Sequence, residues 1–509
     1  MGKELVGKCK RLPLAIIILG GLLLLKSKNV LVWDNVLKTL DWRDRCEVLA
    51  LSYHDMPSYL KPCFLYLGLF PEDAVIRSNK LKMLWIAEGF TELYKHDKMT
   101  AEEIAEFYLE ELYQRSMIQV VSKKSYGGFR TCGIKSFRIH DLLKDLAIAE
   151  GIEFNFLTIH RGTLLLPTES NSSPKAPRRL AIQSPLQHNQ TQFDSPKLRS
   201  LLCFYVGQEY QFRNLLPIVD RLKLLRVIDL NNVTLEQLPK QIGTLIFLRF
   251  LGLNNTGLKR LPESVGDLFN LLTLDVRTDG ELRKLKVPPS VWKLKKLRHL
   301  YVDQYIAPQL IELPNIQILN GIPAGDWIAN CLGTGLIPRK LPLKDLNRLF
   351  LLALVGRLER LPDVTGFPTQ LMKLTLCASK LDQDPMPVLG QLQSLESLKL
   401  LKDSYTGDQM FCPPSSFPKL KFFMLREIPL SEWELEDRAM ISLKRLFIYG
   451  CNNLTMLPEG LKHTDDFQEL ELVDMPSQFL NRVDENGGED FHKIHRSILI
   501  IKVVAEEDS

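Results

Sequence analysis

Leu225-Arg-Val-Ile228-Asp-Leu230 and, 23 residues on, Leu248-Arg-Phe-Leu251-Gly-Leu253 spell one phrase, leucine-x-x-leucine-x-leucine, and that phrase decides the fold. It returns at Leu271-Leu-Thr-Leu274-Asp-Val276 and Leu297-Arg-His-Leu300-Tyr-Val302, then at Leu349, Leu371, Leu395, Leu420, Leu443 and Phe467. Most intervals are 22 to 26 residues; the 52 residues between Leu297 and Leu349 leave room for two repeats, one near Ile316 to Ile322. A unit this short cannot bury its apolar face alone, so each must stack on its neighbours. The result is a leucine-rich solenoid whose short strands line a concave wall. Within each phrase the leucines fill the interior, and the x positions Arg226, Arg249, Arg298 and His299 fall on the exposed strand face. Those four are the candidate partner-binding residues. Between strands, Leu238-Pro239-Lys-Gln-Ile242-Gly243 and Leu261-Pro262-Glu-Ser-Val265-Gly266 place proline and glycine where the chain turns on the convex side.

Upstream the period changes. Pro13 is placed to open a helix, and Trp33, Val36, Leu37 and Leu40 share one face of the next. Leu60, Phe64 and Leu67 repeat the stripe, as do Leu81, Leu84 and Trp85. Thr100 to Glu103 has the spacing of a capping box ahead of Ile104, Phe107, Tyr108 and Leu112. Met117 to Val121 and Phe137 to Ile139 read as two strands around a Gly127-Gly128 tip. Helices followed by a small hairpin describe a winged-helix domain, so the fold class is an α+β multidomain chain: a helical subdomain and a winged-helix subdomain followed by an α/β leucine-rich-repeat solenoid.

The 509 residues are 45% hydrophobic and 25% charged, ordinary for a globular chain of two or three domains. A net charge of +5 without a long basic run gives no nucleic-acid footprint. Nine cysteines without close pairs or metal-ligand spacing fit reduced thiols in a cytoplasmic protein with no metal site. A secreted or membrane-anchored receptor ectodomain is the rival reading, because five Asn-x-Ser/Thr acceptor patterns, among them Asn232 and Asn254, and the apolar run Leu12 to Leu25 would suit it. That run of about 14 residues is shorter than the roughly 18 a membrane span needs, and Lys26-Ser-Lys28 follows it rather than a cleavage site. Gly2 to Cys9 almost spells a phosphate-binding loop, but no strand precedes it. A second alternative, a winged-helix DNA-binding protein, needs a basic recognition helix, and the Leu81 to Glu88 helix offers only Lys80 and Lys82 beside Glu88.

Leu51-Ser-Tyr53, Leu60-Lys-Pro-Cys63-Phe-Leu-Tyr66, Phe70-Pro-Glu-Asp73, Leu84-Trp-Ile-Ala-Glu-Gly-Phe90 and Phe137-Arg-Ile-His140-Asp141-Leu-Leu together closely resemble plant intracellular immune receptors. These are the nucleotide-binding leucine-rich-repeat disease-resistance proteins of the class with an N-terminal coiled coil. The resemblance implies that residues 1–45 are the C-terminal part of the first helical subdomain of a nucleotide-binding (NB-ARC) module and that 46–160 are its winged-helix subdomain. A linker over 161–197, rich in Ser, Pro and Asn, and a solenoid over 198–509 complete the chain. It also implies an N-terminally truncated member, because the phosphate loop and the magnesium-binding aspartate of the nucleotide-binding domain are absent from this sequence.

By the same resemblance His140 contacts the β-phosphate of ADP and, with Asp141, acts as the switch, while Pro13 lines the adenine side. ADP or ATP is the cofactor of the complete family, and this chain alone is expected to bind none. The implied partner is a protein, either a pathogen effector or a guarded host protein, together with intramolecular contacts to a nucleotide-binding domain. Read from residues alone, His140 and Asp141 are a boundary histidine and a helix cap. No nucleic-acid partner, no transmembrane span and no enzymatic activity are expected.

Overall fold

The computed structural model describes residues 13–24, 33, 47–92, 99–123, 133–160, 177–184, 195–204, 216–278, 285–302, 313–323, 343–464, 466–484, 487–494 and 499–503. They fall into two compact units, residues 1–125 with 131–256 and residues 126–130 with 257–509.

In the first unit, α1 (Pro13–Leu24) begins on the anticipated proline and buries Leu14, Ala15, Ile18, Leu19 and Leu22, the i, i+4 stripe of a packed helix. Its Gly21 lies against the end of a later helix so closely that a Cβ there would stand 2.8 Å from the Arg115 carbonyl carbon, and backbone cannot give way. Then follow α2 (Glu47–His54), α3 (Lys61–Leu67), β1 (Ile76–Arg77), α4 (Ser78–Glu88), α5 (Ala101–Gln114), β2 (Gln119–Lys123), β3 (Ile134–Arg138) and α6 (Asp141–Glu153). Strands order β1-β3-β2, all antiparallel, with Phe137 of β3 opposite Ile76 and Val120. This is the winged helix. Its core is Trp85, Tyr66, Tyr108, Phe64 and Phe137, all fully buried. The capping box is present: the Glu103 amide donates to Thr100 Oγ1 and the Thr100 amide to the Glu103 carboxylate. Trp33 is helical, but Val36, Leu37, Leu40 and the Gly127-Gly128 tip lie outside the described residues. Among the described residues no helix is long and apolar enough to cross a membrane.

Five parallel strands complete the first unit: β4 (Thr158–His160), β5 (Arg179–Ile182), β6 (Ser200–Cys203), β7 (Val227–Asp229) and β8 (Phe250–Gly252). The repeat strands therefore start some forty residues before the anticipated boundary at 198, and 177–184, assigned to a linker, hold a buried strand paired on both sides. Here Pro177 stands in the place of the first leucine of the phrase, which hides the repeat. The rest of that linker, 161–176 and 185–194, lies outside the described residues.

The second unit continues the pattern with β9 (Thr273–Asp275), β10 (His299–Tyr301), β11 (Ile318–Pro323), β12 (Leu351–Val355), β13 (Lys373–Cys377) and β14 (Ser397–Leu401). After them come β16 (Phe422–Arg426), β18 (Arg445–Tyr449), β19 (Glu469–Val473) and β20 (Leu499–Val503), each parallel to the one before it. A separate parallel pair, β15 (Gln409–Cys412) and β17 (Glu432–Leu435), lies outside this ladder. Strand β11 is the repeat anticipated near Ile316 to Ile322, and its register shifts at Gly321, whose φ of 80° suits glycine.

In strands β13 to β19 burial alternates strictly, so Leu374 and Leu376, Leu398 and Leu400, Leu446 and Ile448 point inward while their neighbours are half-exposed. Between strands the prolines introduce short 3₁₀ turns, as at Glu263–Asp267 after Pro262. Asparagines from the acceptor patterns serve a different set of turns, those directly after the strands: the Asn232 amide donates to the Asn254 carbonyl at 2.7 Å, and Thr256 is buried with its hydroxyl on the Leu253 carbonyl.

Each fully buried leucine contributes roughly 1.5–3 kcal/mol. Leu374→Asp or Leu251→Asp should therefore cost more than about 3 kcal/mol, because it also buries an unpaired carboxylate. Thr375→Ala, on the half-exposed side of β13, should stay within about 0.5 kcal/mol. Urea denaturation checks the contrast, and equal losses at the two positions would contradict the register.

Candidate functional site

The end of α4 is where the winged helix meets the repeat strands of the same unit. Leu81, Leu84, Trp85 and Glu88 share one helix face at i, i+3, i+4 and i+7, so the helix that buries three apolar side chains also buries a carboxylate. The Glu88 side chain is fully inaccessible, and an isolated charge there would be prohibitive. Arg179 of β5 compensates it with a two-pronged pair, Nε to Oε1 at 2.9 Å and Nη2 to Oε2 at 2.7 Å. The Ser200 hydroxyl of β6 also donates to Oε1. The Arg179 guanidinium lies 3.9 Å from the centre of the Phe156 ring and 5.1 Å from that of Phe90. The charge thus lies against two aromatic rings, themselves stacked with centroids 6.2 Å apart, as well as on its counter-ion.

Two of the four candidate recognition residues come together here. Arg226 Nη1 donates to the Glu88 carbonyl at 2.7 Å, and Arg249 Nη1 pairs with Glu92 Oε1 at 2.7 Å. Both guanidinium groups flank Gly89, the left-handed cap of α4 with φ 86°, where a Cβ would meet them at 3.3 and 3.4 Å. The expectation that Arg226 and Arg249 stand free on an exposed face is therefore corrected: a helix more than a hundred residues away in sequence occupies them. Burial, then repulsion from Arg226, Arg178 and Arg179, pulls the pKa of the neighbouring Arg199 below its ordinary value. The Glu88 carboxylate answers a crowd of like charges.

Lys80 pairs with the wholly buried Asp229 of β7 at 2.6 Å, and Lys82 pairs with Glu106. The two lysines that a DNA-reading helix would have offered are thus committed within the protein. Elsewhere His299 is 3% exposed, with Nδ1 2.8 Å from the Thr273 hydroxyl, so its assignment to the exposed face is also corrected. A neighbouring strand supplies a partner that lets a histidine be buried. Arg298 is half-buried.

Pro13 is the exposed first residue of α1. His140 is the N-cap of α6, its Nδ1 accepting from the Leu142 amide at 3.3 Å, and Asp141 is the exposed first helical residue, where a negative charge is favoured. With Nδ1 accepting, Nε2 is the ring nitrogen left to donate on a half-buried ring.

Sequence reasoning missed Glu88, Arg179 and Asp229. The signal for Glu88 was present, a lone acid in phase with the apolar stripe of α4. It also missed the outward positions of the later strands, where Phe422, Met424, Arg426, Phe447 and Tyr449 stand half-exposed.

Among the described residues, Cys63, Cys412 and Cys451 are buried thiols and poor nucleophiles. Burial pushes the Cys412 thiol up to about 12 and Cys451 to about 11, and Cys63 well above its usual range. Among the described residues no group of three or more His, Cys, Asp or Glu is placed to hold a metal ion.

A winged helix docked on parallel leucine-rich strands defines the class of protein. The family model of the disease resistance protein winged-helix domain matches residues 69–147, and that of a leucine-rich repeat region matches 197–332. Disease resistance protein RPP8 of Arabidopsis thaliana is 31% identical over 563 aligned positions, covering 97% of this chain and 60% of that protein. Probable disease resistance RPP8-like protein 2, of the same plant, is 32% identical with the same coverage of each. The chain is similar to these plant disease-resistance proteins, and it spans 60% of the length of those two relatives.

Glu88→Ala should destabilise the protein by about 3–5 kcal/mol by leaving Arg179 buried without its counter-ion, whereas Arg249→Ala, whose partner Glu92 is 65% exposed, should cost less than about 1 kcal/mol. Gly89→Ala should cost about 1–2 kcal/mol for its left-handed backbone alone. Calorimetric melts of the three variants test the ranking. Iodoacetamide at pH 8 should label Cys63, Cys412 and Cys451 only after unfolding, as peptide mapping would show.

Proposed function

We propose that this chain is the sensing and switching part of a plant immune receptor that works inside the cell, by binding rather than by catalysis. In this reading its repeat strands recognise a protein, either a pathogen effector or a modified host protein. The observation that carries it is the docking of Glu88 and Gly89 onto Arg179, Ser200 and Arg226. One helix end of the winged helix is tied to three successive kinds of repeat contact, so a ligand that prefers one arrangement of the repeats can shift the winged helix by that difference in affinity. The relatives' names supply the setting, resistance to disease.

Nucleotide enters this proposal through His140. When a nucleotide-binding domain is joined to it, the Nε2 proton would be given to a phosphate oxygen, with Pro13 on the base side. ADP supplies the charge that holds such a switch closed. One hydrogen bond contributes about 0.5–1.5 kcal/mol, up to about 3 when charge-assisted, and micromolar binding needs about 8 kcal/mol.

Joining this chain in frame behind the N-terminal part of RPP8 tests the switch. Glu88→Gln and His140→Ala should each raise cell death in leaves without any elicitor, since each removes a contact of the resting arrangement. Chimeras as quiet as the parent would remove the seam and the histidine from the switch. Calorimetry on the chain alone should find no micromolar ADP binding, and a micromolar constant lost in His140→Ala would show that the site is stronger than proposed.

A further inference from the structure

The outward rows of β13 to β18 differ from those of β5 to β8. In β7 and β8 every strand residue is buried, and α4 packs against both strands. In β13, β14, β16 and β18 the outward residues remain half-exposed. Their chemistry is not that of a merely solvated sheet. The Phe422 and Phe447 rings, on adjacent strands, have centroids 5.0 Å apart. Arg445 lies 5.2 Å from the Phe422 ring centre and Lys399 5.5 Å, so one ring is flanked by two cations. Arg426 lies 4.6 Å from the Tyr449 ring centre. Aromatic rings and arginine held at fixed separation are the side chains that dominate protein-binding surfaces.

The sign of the charge changes at the next strand. Strand β19 turns Glu469 and Glu471 outward, and burial followed by the charge of Glu469 raises the pKa of Glu471 above its ordinary value. The basic and aromatic field is therefore bounded by carboxylates, which would repel a continuous phosphate backbone crossing the face.

The protein itself shows what such rows accept. In the first unit the arginines of the repeats are met by the Glu88 carboxylate, the Glu88 carbonyl and the Glu92 carboxylate, and Arg179 is stacked by Phe90 and Phe156. The occupant there is an acidic helix end carrying an aromatic residue. Resting on the reading that the repeats bind a protein, we propose that the outward face of β13 to β18 docks an acidic segment of a partner protein anchored by a large apolar or aromatic side chain. Its carboxylates meet Lys399 and, sharing them with the half-exposed Glu427 and Glu469, Arg426 and Arg445, and its anchor lies on Phe422, Met424 and Phe447.

The test is selection of phage-displayed random twelve-residue peptides on the purified full chain. The expected pool is enriched in Asp and Glu together with an aromatic or leucine anchor, and a peptide made from it binds more weakly as salt rises. Arg426→Glu with Arg445→Glu should weaken that peptide about tenfold or more, as should Phe447→Ala, while Lys295→Glu, on an exposed turn, changes nothing. Melting curves matching the parent establish that the variants are folded; if they are not, Arg426→Gln and Lys399→Gln replace them with the same expectation. A pool without acidic bias, no enrichment, tighter binding of oligo-dT or of a second copy of the chain through these residues, or a peptide indifferent to all of these substitutions each overturns the proposal. Peptides that bind but ignore these substitutions would leave protein binding by the repeats intact and remove only this face; chimeras that respond in leaves with Arg426→Glu in place would do the same.

Discussion

A carboxylate with no access to water, Glu88, is the constraint on which the first unit depends. Removing such a charge from solvent costs several kcal/mol, and one counter-ion seldom returns the whole amount. Arg179, Ser200 and the two phenylalanine rings must therefore all be in place. Each comes from a different element: α4, β5, β6, the turn after α4 and the chain between α6 and β4. The pair is satisfied only in one arrangement of those elements. An apolar patch of the same size would bind as well in several registers, so the charge selects a single docking, as buried polar groups do in other helix assemblies.

The same repeat thus carries two kinds of surface. Its inward leucines are interchangeable, and their burial sets stability. Its outward residues are not: in β7, Asp229 has become a fully buried acid paired with Lys80, while in β16 the corresponding central position is Met424, half-exposed between two charged neighbouring strands. A solenoid allows this because each strand answers only to its neighbours for its interior. The outward rows are free to be specialised strand by strand.

That division also governs what the sequence could reveal. The interior follows a strict period, so the ladder strands from β7 to β19, the capping box of α5 and the opening of α1 at Pro13 are legible from spacing alone, whereas β15, β17 and β20 carry no such phrase. Where one leucine of the phrase is lost, as at Pro177, the period is interrupted although the strand is not. The outward positions carry no period, and their fate is decided by whatever packs on them. Arg226 and Arg249 read as free because nothing local covers them, yet their partners lie 138 and 157 residues away. His299 reads as exposed because Thr273, which satisfies its ring nitrogen, is in another repeat. Glu88 left a signal that the sequence reading did not use, an acid in phase with the apolar stripe of Leu81, Leu84 and Trp85.

The choice of a charged seam has a kinetic side. When an apolar seam opens, all the surface it exposes is penalised by water. When Glu88 and Arg179 part, each recovers hydration, and much of the lost attraction is returned. An ion-paired seam can thus be specific when closed and still lie within a few kcal/mol of open, the range in which differential binding of one ligand can move a two-state equilibrium. The weak exposed pair of Arg249 with Glu92 beside it adds direction without adding much to the barrier. Replacing Glu88 and Arg179 together by leucine and methionine would then leave the fold stable or stabilise it, and under the proposed function would hold the seam shut against the recognised protein.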